Sequence, residues 1–166
     1  MKFKNPLLVV TDMEHSVAFY REVLGLRKIM DFGANATLTG GVSLQTRESW
    51  QEFIEAAPDA LAWRGRVSEL YFEEDDFDAF AARLKQRDIS YVHGVKEHTW
   101  GQRVVRIYDP DGHLIEVSES METVTFREIT QLQRKMLTLT LRHSIQCVLL
   151  SGTDSCRDGF MEATGT

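Results

Sequence analysis

The chain has 166 residues, 19 Lys plus Arg against 25 Asp plus Glu, and a net charge of −6, which leaves no concentrated basic surface for a dedicated nucleic-acid partner. With 43% hydrophobic and 10% aromatic residues it can bury a core and is not disordered overall. Two cysteines, Cys147 and Cys156, exclude a disulfide scaffold or a cysteine zinc cluster and fit a reducing compartment. The first apolar run, Leu7 to Val10, is too short for a signal-peptide core or a membrane span, so the expected location is the cytoplasm, with no membrane partner.

Leu7 to Val10 reads as a strand, and Asp12 is a good helix N-cap. Met13, Val17, Tyr20 and Leu24 then recur at helical spacing until Gly25 stops the helix. Three short strands follow, Leu26–Phe32, Ala34–Thr39 and Val42–Thr46, punctuated by Gly33 and by Gly40-Gly41. Glu48–Ala57 predicts a short helix that ends near Pro58, with a linker over 58–65.

The pattern then starts again. Leu70-Tyr71-Phe72 is a strand, Asp75-Asp76 opens a helix with an apolar face of Phe77, Phe80, Ala81 and Leu84, and the strands Ser90–Val95, Arg103–Tyr108 and His113–Ser118 follow. An offset of 64 residues maps Asp12 onto Asp76 and Met13 onto Phe77. The order strand, helix, three strands is therefore used twice, as modules 1–57 and 66–120 of one domain spanning 1–120. It implies an α+β fold, two βαβββ modules forming a curved, mostly antiparallel, cup-shaped sheet with helices on its outer face. Between the last two strands, Asp109-Pro110-Asp111-Gly112 carries strong turn chemistry. The segment 121–166 reads differently: a helix over Thr123–Met136, a strand over Leu137–Leu141, an apolar run over 147–150, and an irregular, disordered stretch rich in small polar residues and glycine over Ser151–Thr166.

Leu8-Val9-Val10-Thr11-Asp12, then Ser16-Val17-Ala18-Phe19-Tyr20 and Val23-Leu24-Gly25-Leu26, resemble the opening module of the vicinal oxygen chelate superfamily. That group includes glyoxalase I, fosfomycin-resistance and bleomycin-resistance proteins and extradiol dioxygenases. Tyr108-Asp109-Pro110-Asp111-Gly112-His113-Leu114-Ile115-Glu116 resembles its closing hairpin. The resemblance covers roughly residues 5–119 and implies a ligand site inside the cup; it says less about the reaction. Metal-using members of the superfamily place four ligands on strands, and the resemblance carries those positions onto Asn5, Gln45, Glu69 and Glu116. Asn5 and Glu69 lie 64 residues apart, the same offset as the helices.

None of the four is histidine, the usual ligand for zinc, nickel and iron. Two amides and two carboxylates suit a hard cation such as magnesium, manganese or calcium if any, and a divalent metal is disfavoured. Strand alternation puts Glu69 with Tyr71 on one face and Glu116 with Leu114 on one face, so both glutamates point into the cup if the apolar faces lie under the helices. They would repel unless a cation, a protonated partner or a basic side chain compensates, and Arg106 on the neighbouring strand is the candidate, its direction depending on hairpin register. Glu69 and Arg106 read equally as a structural ion pair, and Asn5 and Gln45 as polar cup wall. His98-Thr99-Trp100-Gly101-Gln102 reads as a glycine-hinged lid that sets Trp100 over a ligand, or as a cap on the core edge. His15, His93 and His113 read as surface or structural.

Two functional classes follow. As an enzyme, a glyoxalase-like lyase or isomerase or another oxygen-chelate enzyme, the chain would use Glu116 as general base or metal ligand with Glu69 as its partner, and Arg106 or Gln102 would stabilise oxyanion charge if no metal does. As a non-catalytic binder resembling bleomycin-resistance proteins, it would hold a ligand in the groove of a homodimer, with Trp100 and Tyr71 stacking on it. A third reading is an interaction domain whose cup is filled.

Overall fold

Asp12 begins the first helix as its position predicts: its backbone is extended and its carboxylate accepts the His15 N–H at 2.9 Å. The helix ends at Gly25, whose φ of 70° is the left-handed conformation that glycine adopts without strain. In the computed structural model, residues 1–55, 57, 59 and 67–151 are described, with side chains described to residue 142. The elements of the first module are β1 (Leu7–Val10), α1 (Met13–Leu24), β2 (Lys28–Asp31), β3 (Asn35–Leu38), β4 (Val42–Thr46) and α2 (Arg47–Phe53). Those of the second are β5 (Glu69–Glu74), α3 (Phe77–Leu84), β6 (Ser90–Glu97), β7 (Arg103–Tyr108) and β8 (Leu114–Glu119). The linker expected over 58–65 lies, residue 59 apart, outside the described residues.

The strands form two four-stranded sheets, ordered β1-β4-β3-β2 and β5-β8-β7-β6. In each, the first strand pairs in parallel with the last and the other pairings are antiparallel. The fold is therefore α+β, built from the repeated unit read in the sequence. Strand period assigns the faces. Leu8, Val10, Leu38, Val42 and Leu44 of the first sheet, and Leu70, Phe72, Val105, Ile107, Ile115 and Val117 of the second, belong to one apolar core with Tyr20 and Val23 of α1 and Phe77, Phe80 and Leu84 of α3. The polar alternates, including Asn35, Thr37, Ser43 and Gln45 in one sheet and Glu69, Tyr71, Arg106 and Glu116 in the other, take the opposite faces.

The two modules are joined by the Asp109–Gly112 turn. Its backbone closes from the Gly112 N–H to the Asp109 carbonyl at 3.0 Å, with Gly112 at φ 86°, and the Asp109 carboxylate accepts the N–H groups of Asp111 and His113. The second Asp109 oxygen accepts the buried Tyr20 hydroxyl at 2.9 Å. Asp111 reaches the start of α1, accepting the Thr11 N–H at 3.0 Å, the Thr11 hydroxyl at 2.6 Å and the Ser16 hydroxyl at 3.2 Å. His113 completes the joint through Nε2 against the Val9 carbonyl at 3.0 Å. The turn is a hairpin, and it is also the tether that holds the first helix.

Residues 1–120 and 121–166 form separate units. The second contains α4 (Met121–Ser151), one continuous helix. The strand expected over Leu137–Leu141 is thus corrected to helix. Alternation of leucine and threonine imitates a strand, but leucine is a strong helix former, and Thr138 and Thr140 donate their hydroxyls to the carbonyls of Arg134 and Met136 within the helix at 2.9 and 3.0 Å. The irregular stretch expected after Ser151 lies outside the described residues. Among the described residues no helix is long and apolar enough to cross a membrane.

Two outcomes follow for the intermodule joint. Tyr20→Phe leaves a buried Asp109 oxygen without its donor and is expected to cost about 1–3 kcal/mol in urea unfolding. Burial first, and Asp111 last, raise the Asp109 carboxyl above its ordinary 3.8, outweighing the opposing pull of His113 and Tyr20. A folded-state value above the unfolded one favours the folded protein at low pH, and the increment is lost as pH rises through the folded value. Asp109→Asn keeps an oxygen for the two backbone donors and removes the titration, so its stability relative to the native chain should improve as pH is raised from about 4 toward neutrality. Urea midpoints across that range check this, and a difference that does not change with pH would contradict it.

Candidate functional site

The second sheet gathers its charged residues by register. Tyr71 of β5 lies opposite Glu116 of β8, Glu116 opposite Arg106 of β7, and Arg106 opposite His93 of β6, so one row crosses all four strands on the face turned away from the core. Glu69 sits two residues before Tyr71 on the same face. Arg106 faces this row. Its Nε donates to Glu69 Oε2 at 2.9 Å, its guanidinium pairs with Glu116 Oε2, and its Nη1 lies 3.4 Å from His93 Nε2. Glu116 is buried, with the other oxygen accepting the Ser118 hydroxyl at 3.3 Å, while the Glu69 side chain is 30% exposed. The register question that the sequence left open is thereby answered: Arg106 is the compensating cation between the two glutamates.

A second group adjoins this row through Tyr71. The Gln102 amide donates to the Tyr71 hydroxyl at 3.3 Å and to the Glu119 carbonyl at 2.8 Å, and its oxygen accepts the Trp100 indole N–H at 3.0 Å. Trp100 stacks on His98 with ring centres 4.2 Å apart, at the tip of a tight β6–β7 turn closed by His98 N–H to the Gln102 carbonyl. Trp100 and Tyr71 remain 54% and 52% exposed, a large aromatic surface beside a polar row.

Asn5 and Gln45 belong to the first sheet's polar face. Asn5 donates to the Ser43 hydroxyl, which lies 3.3 Å from that of Thr37. Gln45 is buried; its amide donates to Ser49 of α2 at 2.9 Å, and its oxygen takes the Asn35 amide at 3.5 Å. These bonds stay within the first module, as those of Glu69 and Glu116 stay within the second. The four positions that the family resemblance assigns to a metal therefore do not fit one. The carboxylates hold a guanidinium, the amides hold neighbouring hydroxyls, and among the described residues no group of three or more His, Cys, Asp or Glu is gathered to hold an ion.

Sequence reasoning missed two participants. His93 enters the row through an irregular β6–β7 register, with shifts on both sides of it that alternation alone does not reveal. Ser49, on a helix with no buried residue, could not be singled out by periodicity.

Residues 3–122 match the glyoxalase-like domain family. Virulence protein STM3117 of Salmonella typhimurium strain LT2 is 29% identical over 118 residues, 68% of this chain and 80% of that protein. A crystal structure of a protein of unknown function from Agrobacterium tumefaciens strain C58 superposes with a TM-score of 0.65 at 37% identity, covering 73% of this chain and 95% of the other. A glyoxalase/bleomycin resistance protein/dioxygenase from Nocardioides shares the fold, with a TM-score of 0.60 at 23% identity over 74% and 85% of the two chains. In its paired modules, its closing hairpin and its match over residues 3–122, this chain belongs to the glyoxalase-like domain family of the vicinal oxygen chelate superfamily.

Proposed function

We propose that the chain is a metal-independent binder of a small organic molecule, held against the polar sheet faces in the groove of a homodimer. The observation that carries this reading is Arg106, which supplies from within the chain the positive charge that a metal would bring to Glu69 and Glu116. One guanidinium against two carboxylates leaves the row with an excess negative charge. A ligand that donates hydrogen bonds or carries a cationic group is favoured there. Trp100 and Tyr71 offer stacking surface for a flat part of the same molecule. Glu116 serves in this reading as the charge partner of Arg106: with its oxygens committed to Arg106 and Ser118, it is better placed to fix the arginine than to accept a substrate proton. Ile29, Met30 and Phe32, exposed on and just after the edge strand β2, support a second copy as the partner that shelters the groove.

Three results test this. Magnesium, manganese, calcium and zinc should leave the melting temperature of the native chain unchanged, whereas Arg106→Met should lose about 1–3 kcal/mol and regain part of it with manganese or calcium, since the two carboxylates are then uncompensated. A rise of several degrees for the native chain with any of these ions would overturn the metal-independent reading. Aromatic cations should quench fluorescence in the native chain but not in Trp100→Ala, a comparison that isolates one of the three tryptophans. Light scattering should give a dimer that Phe32→Asp dissociates, and a monomeric native chain would refute the shared groove.

A further inference from the structure

Away from the charged row, a cleft of about 470 Å³ opens between the first turns of α1, the connection from α3 to β6 and the Asp109–Gly112 turn. It shares no residue with the row or with the Trp100 hairpin. The volume is within the roughly 300–1,000 Å³ range of small-molecule sites. Phe19 and Ile89, both packed against the edge of the core, give it apolar surface together with Pro110. One wall is fixed in advance, because the turn that forms it is bonded through Asp109 to Tyr20 and through Asp111 to Thr11 and Ser16.

The ionisable lining of the cleft is two carboxylates, one imidazole and one phenol. No lysine or arginine lines it, and the acidic groups are Asp88 and Asp109. Arg87, next to Asp88 in sequence, is engaged with Glu22 at 3.2 Å. Asp109 already accepts three hydrogen bonds, so it contributes negative potential rather than a free contact. Asp88 is exposed and has no ion-pair partner among the described residues, while the His15 and Ser90 side chains offer further hydrogen-bonding groups on the same lining.

We infer that this cleft is a second ligand site, which takes a small molecule with an aromatic body and a protonated amine, the ring lying on Phe19, Ile89 and Pro110 and the amine on Asp88. The same carboxylates disfavour an aromatic carboxylate. The site stands independently of the proposed groove, since it needs neither Arg106 nor a second copy.

Tyramine and 3-(4-hydroxyphenyl)propionate are suitable probes, sharing a 4-hydroxyphenyl ring on a two-carbon chain and differing in the sign of the charge at its end. Amide shifts of the full chain titrated with tyramine should move saturably at Phe19, Ile89 and the Asp109–Gly112 turn, and 3-(4-hydroxyphenyl)propionate should not move them. Asp88→Asn, an exposed change that leaves the fold intact, should weaken tyramine about fivefold, the size of one solvent-exposed ion pair. Trp100→Ala and Glu69→Gln should leave that affinity unchanged even if they abolish binding in the groove. Absence of saturable shifts, equal binding of the carboxylate, an unaltered affinity in Asp88→Asn, or shifts centred on the Trp100 hairpin would each overturn the inference.

Discussion

The arrangement of this domain depends on two carboxylates in one turn. Asp109 and Asp111 lie 100 residues or nearly so from the groups they hold, Tyr20, Thr11 and Ser16, and these bonds anchor α1 against the second module. Each half alone has a four-stranded sheet and one principal helix, too little to bury both faces of anything. Tied through the turn, α1 and α3 share one core with the apolar faces of both sheets. The cost of burying Asp109 is visible in its raised carboxyl, and it is offset by the hydrogen bonds that occupy both of its oxygens.

The charged face follows from that core. Because side chains alternate along a strand, committing Ile115, Val117, Val105 and Ile107 inward commits Glu116 and Arg106 outward, without any further choice. This is why the faces of Glu69 and Glu116 were legible in the sequence: they needed only period two and the position of the apolar alternates. The direction of Arg106 was not, since it depends on which β8 residue lies opposite, a property of the hairpin that one residue of slip would reverse. His93 was less legible still, because β6 and β7 change register twice around it.

Other gaps have the same origin in long-range pairing. Tyr20 could be placed on the buried face of a helix by spacing, but its hydroxyl partner is 89 residues away and no local pattern announces it. Gln45 read as cup-wall polarity; its burial comes from Ser49 and the short helix α2, whose seven residues include none that is buried. In α4 the error was one of period: Leu137 to Leu141 alternates, yet within a continuous helix the threonine hydroxyls turn back onto their own backbone and the leucines continue it.

The missing imidazoles and the arginine between the two glutamates are best understood together. Glu69 and Glu116 both lie against Arg106, which offsets the repulsion between them. A divalent ion would need further donors to complete its shell, and oxygens from Asn5 and Gln45 would have to give up Ser43, Ser49 and Asn35 to provide them. A guanidinium needs no such shell: it is planar, permanently charged and able to serve two carboxylates at once. With it present, the row does not draw on the first module, whose amides bond to neighbouring hydroxyls instead. The second module then carries the charge of the row on its own, two carboxylates against one guanidinium.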